Sequence, residues 1–251
     1  MKPSVELIIL DCDGVLIDSE PLSALASSLA TKRCGNPRHP MTPEDAMTQF
    51  TGLDARAIRS LLANVYCIED LEAWAACKRE ILEALFQSHL QAVPRVKETL
   101  DRLEAAGMPF CVASNSPRKR LAFAFSCTGL SGRFGSAVFS AEDVARGKPA
   151  PDLHLHAAAV MGMRPDACLV IDDSPAGILG AKAAGMTAWG FAGTCKPSAK
   201  ERWIDSLLKA GADRIVDRFD ALLEALPPQP AGERRQALSS LRSRSQCAAA
   251  F

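Results

Sequence analysis

The chain has 251 residues, 48 % of them hydrophobic, which is enough for one large domain or two of ordinary size around a substantial core. Lysine plus arginine equals aspartate plus glutamate at 29 each, so formal net charge is zero and nothing electrostatic favours a nucleic-acid or membrane partner. The nine cysteines, an odd number with no C-x-x-C pair, argue against a disulfide framework and for a reducing cytoplasm.

No segment approaches the length of a membrane span. The opening MKPSVELIIL carries one lysine and a short apolar stretch containing Glu6. It lacks the long apolar region and cleavage site of a secretory signal, so no export is expected.

Residues 5–10 read as the first strand. Leu7 to Leu10 are continuously apolar, the pattern of a strand buried on both faces within a parallel sheet. The run leads directly into Asp11 and Asp13, and then Gly14. Two acids at the carboxyl end of such a strand stand where open α/β sheets place their ligands. The pair can hold Mg²⁺, and one acid can attack phosphorus while its neighbour moves a proton. Asp-x-Asp-Gly also suits plain turns. A calcium loop of the EF-hand type would continue with oxygen ligands, whereas Val15, Leu16 and Ile17 follow here. Cys12, between the acids, reads as a small buried filler rather than a nucleophile.

From Pro21 to about Gln91 the character changes to Ala, Leu, Glu and Lys. Helical patterns fit residues 21–33, 43–48, 54–65 and 69–90, with Pro37, Pro40 and Pro43 separating the first two. The last pattern gathers Leu71, Trp74, Ile81, Leu82, Leu85 and Phe86 on one broad face. The segment is a helical insertion after the first strand.

Beyond Val93, helices and strands alternate. Helices are predicted over 96–107, 117–130, 151–162 and 174–185, and strands over 109–114, 136–140, 168–172 and 187–193. This alternation predicts a doubly wound parallel sheet covered on both faces. The expected division is a core of 1–16 with 92–226, a helical cap of 17–91, and a disordered tail at 227–251 rich in Pro, Ser, Arg and Gln.

Three further strand ends carry polar groups. Ser114, Asn115 and Ser116 follow PFCVA and can bond phosphate oxygens, although the same triplet is also a good helix cap. Lys148 lies between Gly147 and Pro149, where a fixed ammonium can neutralise a phosphate and a carboxylate. Asp172 and Asp173 follow CLVI, repeating the acids of the first strand; helix capping accounts for one of them but poorly for both. Parallel strands bring all these ends to one edge of the sheet. His154 and His156, two residues apart, point to different helix faces and are poor joint metal ligands. Trp74, Trp189 and Trp203 read as packing residues.

These motifs resemble the haloacid-dehalogenase-like hydrolase superfamily. DCDGVLIDSE is similar to its first motif, Ser114 to its second, Lys148 with PAPD to its third and IDDSPAGILGAKAAGM to its fourth, over roughly residues 5–225. The helical insertion resembles the small cap of the β-phosphoglucomutase-like branch. The phrases DCDG, DSE, KPAPDLHLHAA and DDSPAG resemble bacterial sugar-phosphate phosphatases, including those acting on 6-phosphogluconate. The resemblance implies Asp11 as nucleophile, Asp13 as acid and base, and Ser114 and Lys148 as phosphoryl ligands; Asn115 is a substrate-binding candidate from its strand end, and Arg56, in the cap segment that reaches the substrate in relatives, reads either as a ligand for a second anionic group or as a surface arginine. The resemblance also implies Mg²⁺ held by Asp11, the Asp13 backbone carbonyl, Asp172 and Asp173. The implied reaction is hydrolysis of a small phosphorylated metabolite through an aspartyl phosphate. Two departures matter. Dehalogenases of the superfamily lack the second aspartate, so Asp13 favours phosphate esters. Mutases of the branch carry a histidine shortly after the first motif, and Ser19 to Ser23 contain none. A mutase and a non-catalytic binding protein on the same scaffold stand as the alternatives. Substrate identity and oligomeric state are not legible.

Overall fold

A computed structural model describes residues 5–35, 39–50 and 55–225. In chain order the elements are β1 (Leu7–Leu10), α1 (Glu20–Cys34), α2 (Pro43–Phe50), α3 (Ala55–Asn64), α4 (Leu71–His89), α5 (Val96–Ala105), β2 (Phe110–Ser114), α6 (Arg118–Thr128), β3 (Val138–Ser140), α7 (Asp152–Val160), β4 (Cys168–Asp172), α8 (Pro175–Ala183), β5 (Thr187–Phe191), α9 (Pro197–Lys209), β6 (Arg214–Val216) and α10 (Ala221–Ala225). Packing divides the chain into two units: one lies within residues 1–16, 92–123 and 130–251, the other within 17–91 and 124–129. Residues 227–251, expected as a tail, lie outside the described residues.

The first unit is a six-stranded sheet in the order β3-β2-β1-β4-β5-β6, with every pairing parallel. Leu10 of β1 stands opposite Val112 of β2 and Ile171 of β4. All residues of β1 and β4 are buried, which is why both read as unbroken apolar runs. The chain winds outward from β1 through β2 to β3, then returns to β4 and winds the other way to β6. Winding therefore reverses at β1, and the strand ends around it open a crevice. Under the sheet, Leu7, Ile9, Cys111, Val170 and Ala188 pack with Leu153 of α7 and Ile178 of α8.

Sequence periodicity missed α9 and β6. β6 is three residues long, too short for a period, and its first residue is exposed. α9 does carry a start signal, a proline at its first helical position.

The second unit is helical. α1, α2, α3 and α4 enclose a small cluster built on Ala30, Met41, Leu62, Tyr66 and Trp74. Trp74 Nε1 donates to Thr31 Oγ1 over 3.0 Å, which satisfies the indole inside the cluster. Asp70 caps α4 by accepting from the backbone N–H groups of Glu72 and Ala73. The face expected on α4 is the buried one: Trp74 and Phe86 are fully enclosed, and Leu71, Ile81, Leu82 and Leu85 are half-buried. Among the described residues, no helix is long and apolar enough to cross a membrane.

Candidate active site

The strand ends of β1, β2 and β4 and the loop after β3 meet. Asp11 extends β1 by one rung, its N–H donating to Ile171 carbonyl oxygen over 2.9 Å. Its carboxylate is buried against Lys148, whose Nζ donates to Asp11 Oδ1 and to Asp172 Oδ2, each over 2.7 Å. A cation supplied by one loop thus ties the carboxylates of two adjacent strands.

Each charge is held from behind. Asp172 is fully buried, and its Oδ1 accepts from the N–H and the hydroxyl of Ser174. Ser174 caps α8, its Oγ accepting from Gly177 N–H over 3.0 Å. Capping therefore falls to Ser174, and neither acid is needed for it. Glycine is required at Gly177, because a Cβ there would lie 1.8 Å from Asp172 Oδ2. Gly14, at φ +73°, leaves the room that Asp173 occupies, since a Cβ there would lie 2.0 Å from Asp173 Oδ2.

Ser114 is buried at the end of β2. Asn115, expected to meet substrate, instead uses its side-chain amide on the lysine loop. Its Nδ2 donates to Lys148 carbonyl oxygen over 3.0 Å and its Oδ1 accepts from Lys148 N–H over 2.9 Å. The closed pair of bonds fixes the backbone that carries the ammonium. Arg56 is exposed on α3 of the helical unit.

The electrostatics follow from burial. Desolvation, with the nearby Asp172 and Asp13 charges, pushes Asp11 up to about 7 against the pull of Lys148. Burial works against the Lys148 charge, but the Asp11 and Asp172 carboxylates outweigh it and hold that ammonium above the ordinary lysine range. Burial raises the Cys12 thiol well above its usual range, in keeping with a filler.

Oxygen atoms of Asp11, Asp172 and Asp173 all lie within 4.8 Å of one another. Three carboxylates around one ammonium leave negative charge uncompensated, and an all-oxygen donor set suits a hard divalent cation. The residues present therefore fit Mg²⁺.

Residues 5–185 match the family described as haloacid dehalogenase-like hydrolase. The chain belongs to that family. Among relatives of this hydrolase, 6-phosphogluconate phosphatase of Escherichia coli (strain K12) is 30 % identical over 189 residues, 74 % of this chain and 82 % of the relative. Hexitol phosphatase A of the same organism is 32 % identical over 179 residues, 70 % of this chain and 78 % of the relative. A solved HAD family hydrolase from Deinococcus radiodurans R1, with bound phosphate and sodium, superposes with a TM-score of 0.74 at 30 % identity. That likeness covers 90 % of this chain and 96 % of the other.

One residue that bonds these candidate side chains escaped the sequence reading. Arg120, in the first turn of α6, pairs with Asp13 through two bonds. The signal was the basic run after Ser-Asn-Ser, but spacing does not say which base of PRKR turns inward. Arg118 goes to Asp143 instead. His154 is fully buried on α7 against Gly180, with neither ring nitrogen hydrogen-bonded. His156 leaves by another face and packs edge-on to Phe139 at 5.5 Å.

Proposed function

We propose that this hydrolase cleaves a small phosphomonoester, a sugar or sugar-acid phosphate, with Mg²⁺ held by Asp11, Asp172, Asp173 and the Asp13 backbone carbonyl. The observation that carries the reading is Lys148 Nζ standing 2.7 Å from both Asp11 and Asp172, beside a cluster of oxygen donors. Its relatives' names, a 6-phosphogluconate phosphatase and a hexitol phosphatase, support the substrate class. A phosphorylated metabolite of that size, in the cytoplasm, is the partner proposed.

Phosphoryl transfer asks chiefly for positioning and charge neutralisation. The bound metal would supply positive charge toward the phosphoryl oxygens. In this reading an Asp11 carboxylate oxygen attacks phosphorus, and the bond to the alcohol oxygen breaks. Asp13 delivers a proton to that departing oxygen. Asp13 next takes a proton from water as the water oxygen attacks the phosphorus of the aspartyl phosphate. Inorganic phosphate leaves and the Asp11 carboxylate is restored. Lys148 and Ser114 bind the transferring group, and Arg56 is the cation proposed for a second anionic group on the substrate.

The test is release of p-nitrophenol from p-nitrophenyl phosphate, with magnesium chloride and with EDTA, by wild type and Asp11→Asn. Magnesium-dependent release that Asp11→Asn abolishes, in a protein with an unchanged circular-dichroism melt, is the expected result. Wild-type rates from Asp11→Asn would overturn the nucleophile. No release at all would favour a binding protein. A panel of 6-phosphogluconate, hexitol phosphates and hexose phosphates then identifies the substrate. Conversion of β-glucose 1-phosphate to the 6-phosphate would mark a mutase instead.

A further inference from the structure

Asp13 is held by two residues of the segment after β2. Arg120 Nη1 donates to Asp13 Oδ2 over 2.6 Å and Nη2 donates to Oδ1 over 2.7 Å. Ser116 Oγ donates to the same Oδ2 over 2.8 Å, and Arg120 Nη1 also contacts Ser116 Oγ. Ser116 and Arg120 are four residues apart, so the serine stands just before the helix and the arginine one turn along it. We infer that Arg120, backed by Ser116, is a positioning residue that fixes the plane and direction of the Asp13 carboxylate for proton transfer. The inference rests on the reading of Asp13 as the acid and base of the reaction.

Three observations carry it. A guanidinium bonded through two nitrogens to two carboxylate oxygens defines a plane, which a single contact cannot do. The two side chains are only 26 % and 21 % exposed, so solvent screens the pair weakly and the fork holds the carboxylate in one arrangement. Direction is what this geometry supplies. Finally, Asp13 follows β1 by three residues while both of these partners come from the segment after β2, so the grip on the carboxylate joins two separate stretches of the chain. A proton donor must lie within hydrogen-bond reach of the departing oxygen, and misplacement by about 1 Å can cost on the order of 10²-fold in rate.

Steady-state kinetics on p-nitrophenyl phosphate with magnesium chloride decide the matter, using Asp13→Asn, Arg120→Met, Arg120→Lys and the double variant Asp13→Asn/Arg120→Met. Arg120→Met is expected to lose tenfold to a hundredfold in kcat with KM within about twofold. Arg120→Lys, which keeps the charge but not the fork, is expected between it and wild type; it carries the test should Arg120→Met fail to fold. The double variant is expected to match Asp13→Asn alone, because Arg120 acts through Asp13. An unchanged kcat would overturn the proposal. So would a raised KM at constant kcat, which would mean direct substrate binding, or losses that multiply in the double variant. Full activity in Asp13→Asn alone would instead sink the acid–base reading on which the proposal stands.

Discussion

Lys148 Nζ lies 2.7 Å from Asp172 Oδ2, a carboxylate with none of its surface open to solvent. The same ammonium reaches Asp11, so one buried cation is shared between two buried carboxylates from neighbouring strands. Removing it would leave both carboxylates uncompensated. Lys148→Met is therefore expected to lose about 3–5 kcal/mol of stability, as for other broken buried pairs. Urea unfolding in EDTA measures this. The same variant is expected to lose about 10²–10³-fold in kcat, as for other lost electrostatic stabilisers of a transition state. A variant as stable and active as wild type would show that the ammonium is not the keystone of the cluster.

Gly177 has no ligand function of its own, yet its missing side chain makes room for Asp172. A Cβ at this position would overlap the carboxylate at 1.8 Å. Gly177→Ala must push either the acid or α8 aside. The expected outcome is at least a tenfold loss of kcat, with about 1–3 kcal/mol of destabilisation from overpacking. Activity assays beside thermal melts separate the two effects.

Asp173 offers an oxygen to the same cluster as Asp11 and Asp172 and is only half-buried. Asp173→Asn keeps its size and position above Gly14 while removing the charge. Magnesium affinity, measured by isothermal titration calorimetry on the free protein, is expected to fall by on the order of 10–100-fold or more, since even outer-shell changes cost that much. Unchanged affinity would remove Asp173 from the metal site.

His154 links acid to stability. Burial holds its imidazole down to about 4, with the Lys148 charge adding to the effect. Its folded value lies below its ordinary 6.5, so the unfolded chain takes up the proton more readily. Stability from this residue is complete above pH 6.5 and is lost as pH falls toward 4, by up to about 3 kcal/mol from the size of the shift. Asp11 runs the other way: its raised value favours the fold below pH 4 and loses that contribution as pH rises through about 7. The informative quantity is therefore the difference between His154→Phe and wild type. That difference should grow in the variant's favour between pH 8 and pH 5 in urea titrations. A constant difference would mean that the imidazole titrates normally.

The doubly wound sheet could be named from the linear chain, and of the residues singled out there Asp11, Lys148, Asp172 and Asp173 lie together in the fold. The reason is local. An apolar run long enough to be buried on both faces announces a parallel strand. Topology then forces every carboxyl end onto one edge, so polar residues after such runs must be neighbours. The family resemblance rests on the same strand ends.

Tertiary structure decided what the side chains touch. Asn115 was expected to face a phosphate, but the loop bearing Lys148 passes close enough for both ends of its amide to bond that backbone instead. Which base of PRKR reaches Asp13 depends on the angle at which α6 leaves β2, and no periodicity encodes that angle. His154 and His156 differ by two positions on one helix, yet one is sealed in the core and the other lies against Phe139. Pattern along a chain determines which surfaces are buried. Hydrogen-bond direction and ion pairing are set across distances of a few ångströms between segments far apart in sequence, and only the folded chain brings those segments together.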